Sequence, residues 1–272
     1  MPFTVSHVAA ILPAHRALLR WGFFSAAIVG SMVPDFGFLL PWPLPRSATH
    51  SLTALITFCL PMGLGAWWLF QLLIKPAWCA VLPGNWRLRL REGHPAARLT
   101  DWRAWAGGAM AIVLGACTHL VWDSFTHEDG RGVRMLPFLD DFYGPDLIGH
   151  PLRLYRWLQH ASSLLGLFVV MVAAWQWSRG IDHSSDAANA ATVQAEPMLI
   201  HERHVWFTTY LLVPVALLTL ALLFAWLHPR PWEGIGDKVA RLAVTGLRGA
   251  CLSLLLVSAC IRLRVGRIRL DA

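Results

Sequence analysis

Six apolar runs of about 17 to 26 residues constrain this chain most, because a helix needs roughly 20 such residues to cross a hydrocarbon core of about 30 Å. After a short apolar segment from Phe3 to Leu12, closed by Pro13, the runs fall at 17–33, 50–74, 104–126, 161–177, 206–227 and 239–261. Pro34, Pro41, Pro43 and Pro45 forbid a continuous helix between the first two, so two spans are expected there. Composition agrees: 56% of residues are hydrophobic and 14% charged, against about a quarter charged in a soluble domain. The expected architecture is all-α, a polytopic membrane helical bundle of about six transmembrane helices plus the N-terminal segment.

Orientation follows from lysine and arginine. The loop from Lys75 to Arg103 holds Lys75, Arg87, Arg89, Arg91, Arg98 and Arg103 against Glu92 and Asp101, and so belongs on the cytoplasmic side. The tail carries Arg262, Arg264, Arg267 and Arg269 with the single carboxylate Asp271. Six spans put both on one side of an inner membrane, with both termini cytoplasmic, and leave Glu128 to His160 outside. Residues 178–205 are polar and rich in small residues, and read as a cytoplasmic linker between a membrane domain at 1–177 and a two-helix membrane hairpin with a basic tail at 206–272.

Many of the 15 tryptophans flank the runs as interfacial belts, and the basic residues behind the net charge of +7 lie in loops and tail, so membrane lipid rather than nucleic acid is the expected partner. The 5 cysteines form no C-x-x-C pair, which argues against a disulfide framework or a zinc knuckle. No basic n-region or A-x-A site marks a cleaved signal peptide. Nothing in the pattern fixes an oligomeric state.

Thr118-His119-Leu120-Val121-Trp122-Asp123-Ser124-Phe125-Thr126-His127 then puts two imidazoles and a carboxylate at the end of a span. An ionisable group at helix centre costs about 2.5 to 3.5 kcal/mol on insertion scales, so it marks a functional-site hypothesis. His119 and Asp123, four apart, share a helical face and can offer nitrogen and oxygen to one borderline metal such as zinc, manganese or iron. They can equally hydrogen-bond each other as a polar lock between helices. His127 lies about 12 Å along the helix from His119, which suits a second metal or an acid–base role better than a shared ion.

His50 and Asp35 fall toward the same outer side; a helix-start residue and a turn residue are their structural readings. His7 starts on the cytoplasmic side and reaches them only if its segment dips into the bilayer. His160 opens the fourth span and is either a proton-transfer group or an interfacial histidine. Arg46 can steady a phosphate or anchor the interface. No G-x-S-x-G, P-loop, G-x-G-x-x-G or H-E-x-x-H is present, although Ser47, Ser51 and Ser124 neighbour the histidines.

Met1-Pro2-Phe3-Thr4-Val5-Ser6-His7-Val8-Ala9-Ala10, Gly30-Ser31-Met32-Val33-Pro34-Asp35-Phe36, Thr49-His50-Ser51, the His119 block and Leu158-Gln159-His160-Ala161-Ser162-Ser163 together resemble an uncharacterised bacterial integral-membrane family, domain of unknown function 4184. That family is similar in layout to membrane-bound proteins described as metal-dependent hydrolases. The resemblance implies a divalent metal site shared by His7, Asp35, His50, His119 and Asp123, and no particular substrate.

The expected function is metal-dependent hydrolysis of an ester or phosphoester in a lipid-like substrate. A metal-bound water would attack, His127 or His160 would move protons, and Arg46 would steady the substrate. The alternative is a non-enzymatic membrane protein, a proton or metal pathway or an assembly factor, whose cluster is a structural lock. A pathway needs ionisable groups across the membrane depth, and spans four to six offer mainly Arg241 and Arg248.

Overall fold

Gly22 decides the course of the N-terminal segment. In a computed structural model describing residues 4–40, 42, 44–82, 86, 90, 101–144, 151–179, 200–228 and 235–270, it adopts φ 82° and closes α1 (His15–Trp21), its N–H meeting the carbonyls of Leu18 and Leu19. The chain then turns into α2 (Phe24–Met32). The expected first span at 17–33 is therefore not one helix, because a left-handed residue that glycine adopts without steric cost breaks it. A 3-10 segment, Thr4–Ala14, precedes α1, and another, Val33–Leu39, continues α2.

The helix Leu55–Val81 (α3) includes π-helical stretches at Leu55–Cys59 and Phe70–Ile74. It is followed by α4 (Trp102–Thr126), α5 (Leu154–Arg179), α6 (Ile200–Leu227) and α7 (Ile235–Leu270). Among the described residues, 5 helices are long and apolar enough to cross a membrane, at Leu55–Val81, Trp102–Thr126, Leu154–Arg179, Glu202–Phe224 and Arg241–Val265. This is an all-α membrane protein with one long apolar helix fewer than expected. The second expected span starts at Leu55 rather than 50, since Ser51 Oγ accepts from the Ala54 N–H at 3.1 Å and leaves His50 in a turn. Lys75, expected in a loop, is buried within α3. Arg87, Arg89, Arg91 and Arg98 lie outside the described residues.

The chain forms two compact units, residues 1–67 with 97–180, and residues 68–96 with 181–272. The second half of α3 thus groups with the C-terminal helices rather than with the first domain. Residues 180–199 of the expected 178–205 linker lie outside the described residues, while 178–179 and 200–205 belong to the ends of α5 and α6.

In the first unit, α2 runs parallel to α4. A side chain at Gly107 would meet the Phe23 ring, one at Gly30 the Ile112 backbone, and one at Gly115 the backbone of Ala27, Gly30 and Ser31. The glycines at 30 and 115 therefore let the two backbones touch. Thr4 Oγ1 donates to Asp35 Oδ2 at 2.7 Å, so the N-terminal hairpin opens at the C-terminal end of α4 and turns at Gly22 toward its N-terminal end. Ile11, Leu18, Ala26, Ala27, Trp67 and Ile112 pack at its centre. A short antiparallel pair, β1 (Phe142–Tyr143) with β2 (Leu152–Arg153), precedes α5.

In the second unit, Ala77, Ala80 and Val81 of α3 pack with Val257, Ile261 and Val265 of α7, flanked by Trp206, Tyr210 and Val213 of α6.

Candidate metal centre

α4 presents His119 and Asp123 on its buried face, one turn apart, with Nε2 of His119 3.4 Å from Oδ2 of Asp123. The 3-10 segment Thr4–Ala14 lays the His7 ring flat on His119, ring centres 3.8 Å apart and planes 19° apart. His7 Nε2 stands 3.5 Å from Asp123 Oδ1. Val33–Leu39 contributes Asp35, whose Oδ1 is 3.8 Å from His119 Nε2 and 3.4 Å from His50 Nε2. His50, ending the single turn Arg46–Thr49, also comes within 3.5 Å of Asp123 Oδ2. The five residues of the expected ligand set are brought together. His7 arrives because the hairpin opens toward the cluster.

Hydrogen bonds at the back of the rings decide which nitrogen faces inward. A carbonyl only accepts, so the 2.8 Å contact between His119 Nδ1 and the Ser31 carbonyl puts the proton on Nδ1 and the lone pair on Nε2. The Thr49 hydroxyl donates to the Arg46 carbonyl at 3.3 Å and accepts from His50 Nδ1 at 2.7 Å, with the same result. Burial, joined by the neighbouring His119 ring, pushes His7 down to about 4, so its imidazole is neutral near pH 7. Neutral imidazoles held from behind are the form in which histidine ligates metals.

Nε2 of His7, His50 and His119, and Oδ1 of Asp123, are buried without a hydrogen-bond partner. Each such atom ordinarily costs about 1–3 kcal/mol, so four in one place call for a physical reason. Their spacing suits one. Two ligands about 2.1 Å from a tetrahedral zinc lie about 3.4 Å apart, and the contacts here run from 3.4 to 3.8 Å. Two overlapping groups, His7–His119–Asp123 and Asp35–His50–His119, each keep their ligand atoms within 4.8 Å of one another. The donor set of imidazole and carboxylate fits a borderline divalent ion.

His127 belongs to neither group. The helix stops at Thr126 and His127 is extended, φ −129° and ψ 145°. Its Nδ1 lies 3.6 Å from Asp123 Oδ2 and its Nε2 3.2 Å from the Gln159 amide nitrogen. Burial lowers its pKa, favouring the neutral ring. Arg46 donates from Nη2 to Asp123 Oδ2 at 2.7 Å and reaches Asp129 at 3.4 Å, so its guanidinium is engaged by carboxylates rather than left for a ligand.

His160 does not join the cluster. It is exposed on α5, while Gln159, one residue and about 100° earlier on the helix, is buried against His127. Sequence reasoning settled on the ionisable neighbour and missed Gln159. The signal was available in Tyr155, Gln159 and Gly166, which recur at helical spacing and form the buried face of α5.

A cavity of about 310 Å³ adjoins the cluster, its lining including Arg46, His127, Tyr155, Arg156 and Gln159. A family model described as a domain of unknown function (DUF4184) matches residues 1–259. No curated protein and no solved structure matches the chain.

Proposed function

The chain belongs to that family, whose description assigns no activity, and from the site itself we propose a metal-dependent hydrolase of the inner membrane acting on an ester or phosphoester of a lipid-like substrate. The observation that carries this reading is the convergence of the Nε2 atoms of His7, His50 and His119 with Asp123 Oδ1, all buried without hydrogen-bond partners. His7, His119 and Asp123 would hold a zinc, manganese or iron ion, with Asp35 and His50 completing its surroundings. A divalent ion there supplies the Lewis acidity that activates water near neutral pH. His127, a half-buried ring on the cavity wall, is the proton-transfer group. The depth of the cavity, which includes Thr126 at the end of α4 and Tyr155, Arg156 and Gln159 at the start of α5, supports a lipid-like substrate.

Orientation changes with the hairpin. With residues 4–39 folded back at Gly22, five spans remain, and an odd number separates the termini. The basic loop and tail still favour a cytoplasmic C-terminus, while the N-terminus joins the cluster on the outer side. In intact spheroplasts, an epitope ahead of Met1 is then open to antibody, whereas one after Ala272 is reached only on permeabilisation. The reverse pattern overturns this orientation.

One observation favours the other reading, a polar lock: Arg46 and Asp123 pair at 2.7 Å. A lock would hold its buried atoms in close hydrogen bonds, whereas the imidazole Nε2 atoms stand 3.4 to 3.5 Å from the carboxylate oxygens, within ion-pair reach but without a formed hydrogen bond. Metal analysis separates the two. Protein purified in detergent without chelators is expected to carry stoichiometric metal, and folded Asp123→Ala and His119→Ala variants to lose it. Wild-type protein without metal sinks the hydrolase reading.

A further inference from the structure

Among the described residues, Arg156 is the arginine of the cavity with no carboxylate in ion-pair contact, although Glu128 acts on it through space. Its Nε donates to the Tyr155 hydroxyl at 3.5 Å, and among the described residues it makes no ion pair. Arg46, which also lines the cavity, is already bound to Asp123 and Asp129. Arg156 is itself exposed, while the Tyr155 and Gln159 side chains beside it are buried, so the guanidinium stands at the solvent-facing rim of the recess.

That recess meets the cluster directly: His127, on its wall, lies 3.6 Å from Asp123, and Arg46, also on its wall, lies 2.7 Å from it. Its Thr126 lies on the last turn of one apolar helix and its Tyr155, Arg156 and Gln159 on the first turns of another, the level at which lipid headgroups lie. Glu128 and Asp129 also line it, and Asp129 is met by Arg46 at 3.4 Å.

We infer that this cavity seats the phosphate of a phosphate ester, with the Arg156 guanidinium as its anchor. Resting on the hydrolase reading above, this names the substrate class: a phosphoester presented to the cluster from the headgroup side, rather than a carboxylic ester. Arginine suits the task because its planar fork can give two parallel hydrogen bonds to phosphate oxygens, which an ammonium cannot. Glu128, at the same cavity, is placed to meet an amine carried by the headgroup, so a phosphoethanolamine-type ester satisfies both signs of charge.

The test uses the full chain in maltoside detergent, free of phospholipid and treated with chelator, so that seating is read apart from any metal. Calorimetric titration compares dihexanoyl phosphatidylethanolamine, dihexanoylglycerol and soluble phosphoethanolamine. The phospholipid is expected to bind and dihexanoylglycerol not to. Phosphoethanolamine binding as well as the phospholipid supports the seat and identifies a soluble ester as its source; weaker binding supports the seat and identifies a lipid.

Arg156→Ala is expected to weaken phosphate binding at least about tenfold, since hydrogen bonds to charged groups contribute about 1.5–3 kcal/mol. Arg156→Lys should recover part of the loss. Arg153→Ala, removing a nearby arginine that pairs with Asp140 at 2.5 Å outside the cavity, should leave binding unchanged. Equal affinity for dihexanoylglycerol and the phospholipid, or no effect of Arg156→Ala in protein that melts normally, overturns the proposal. Either result leaves the metal reading standing, because metal analysis is independent of it.

Discussion

The two compact units bury different kinds of side chain. The first encloses His7, Asp35, His119 and Asp123, with Arg46 bridging to Asp123 from the cavity side. The second is closed by an aliphatic seam, Ala77, Ala80 and Val81 with Val257, Ile261 and Val265, and by separate polar contacts: the hydroxyl pair Tyr210 with Ser258 at 2.6 Å, Arg264 with Glu202 at 2.6 Å, and Arg203 with the Leu82 carbonyl at 2.7 Å. Its other buried polar groups, Gln71, Lys75 and Ser253, are spread along the helices rather than gathered at a point. Lipid is as apolar as leucine, so helices in a membrane gain little from hiding aliphatic surface and associate by close packing and hydrogen bonds. The second unit needs no more than that. The first holds ionisable groups in a setting where they are expensive, which points to a role other than holding helices together.

Glycine sharpens the contrast most. At Gly115 an added methyl would fall 2.6 Å from the Ser31 nitrogen and 2.8 Å from the Gly30 carbonyl carbon, both backbone. Gly115→Ala must therefore push α2 away from α4, an overpacking that costs about 1–3 kcal/mol. The same shift moves the Ser31 carbonyl that fixes His119, and losing such support lowers metal affinity about 10- to 100-fold. At Gly249 in the second unit a methyl would meet only Leu217 Cβ, at 3.7 Å, an ordinary contact. Gly249→Ala should be neutral or stabilise by up to about 1 kcal/mol through helix propensity. Thermal unfolding and metal titration of the two variants check this. Similar destabilisation by both would erase the distinction between the units.

How much of this was legible in the chain differs by region. The all-α membrane class and the pair His119–Asp123 follow from run length and from a four-residue spacing, both local quantities. Asp35 and His50 could be assigned to the same side of the membrane by counting spans, but their approach to within 3.4 Å is a tertiary fact. His7 was out of reach by that count, because the hydropathy of 17–33 reads as one span and carries no sign that Gly22 takes φ 82°. The apolar period gives a helix its length, and a single left-handed residue gives it its break. The boundary between units was hidden for a related reason: α3 is one continuous apolar run, so nothing in its sequence says that its halves pack with different partners. His160 illustrates the opposite error, where choosing the titratable residue over its amide neighbour ignored the helical face on which each sits.

The smallest expected effect tests the second unit on its own terms. Ser258 is fully buried and its hydroxyl donates to the Leu254 carbonyl at 2.6 Å, leaving its oxygen to accept from Tyr210. Tyr210→Phe removes that donor while keeping the ring against the aliphatic seam. Interhelical hydrogen bonds of this kind in membrane proteins average about 0.6 kcal/mol, because the separated helices also find partners. The variant should therefore unfold only slightly more easily, with metal content and phosphoester binding unchanged. A loss above about 2 kcal/mol would mean that polar contact, not aliphatic packing, holds the second unit, and the contrast drawn with the first would fail. Altered metal binding would fail it differently, by tying Tyr210 energetically to a centre with which it shares no compact unit.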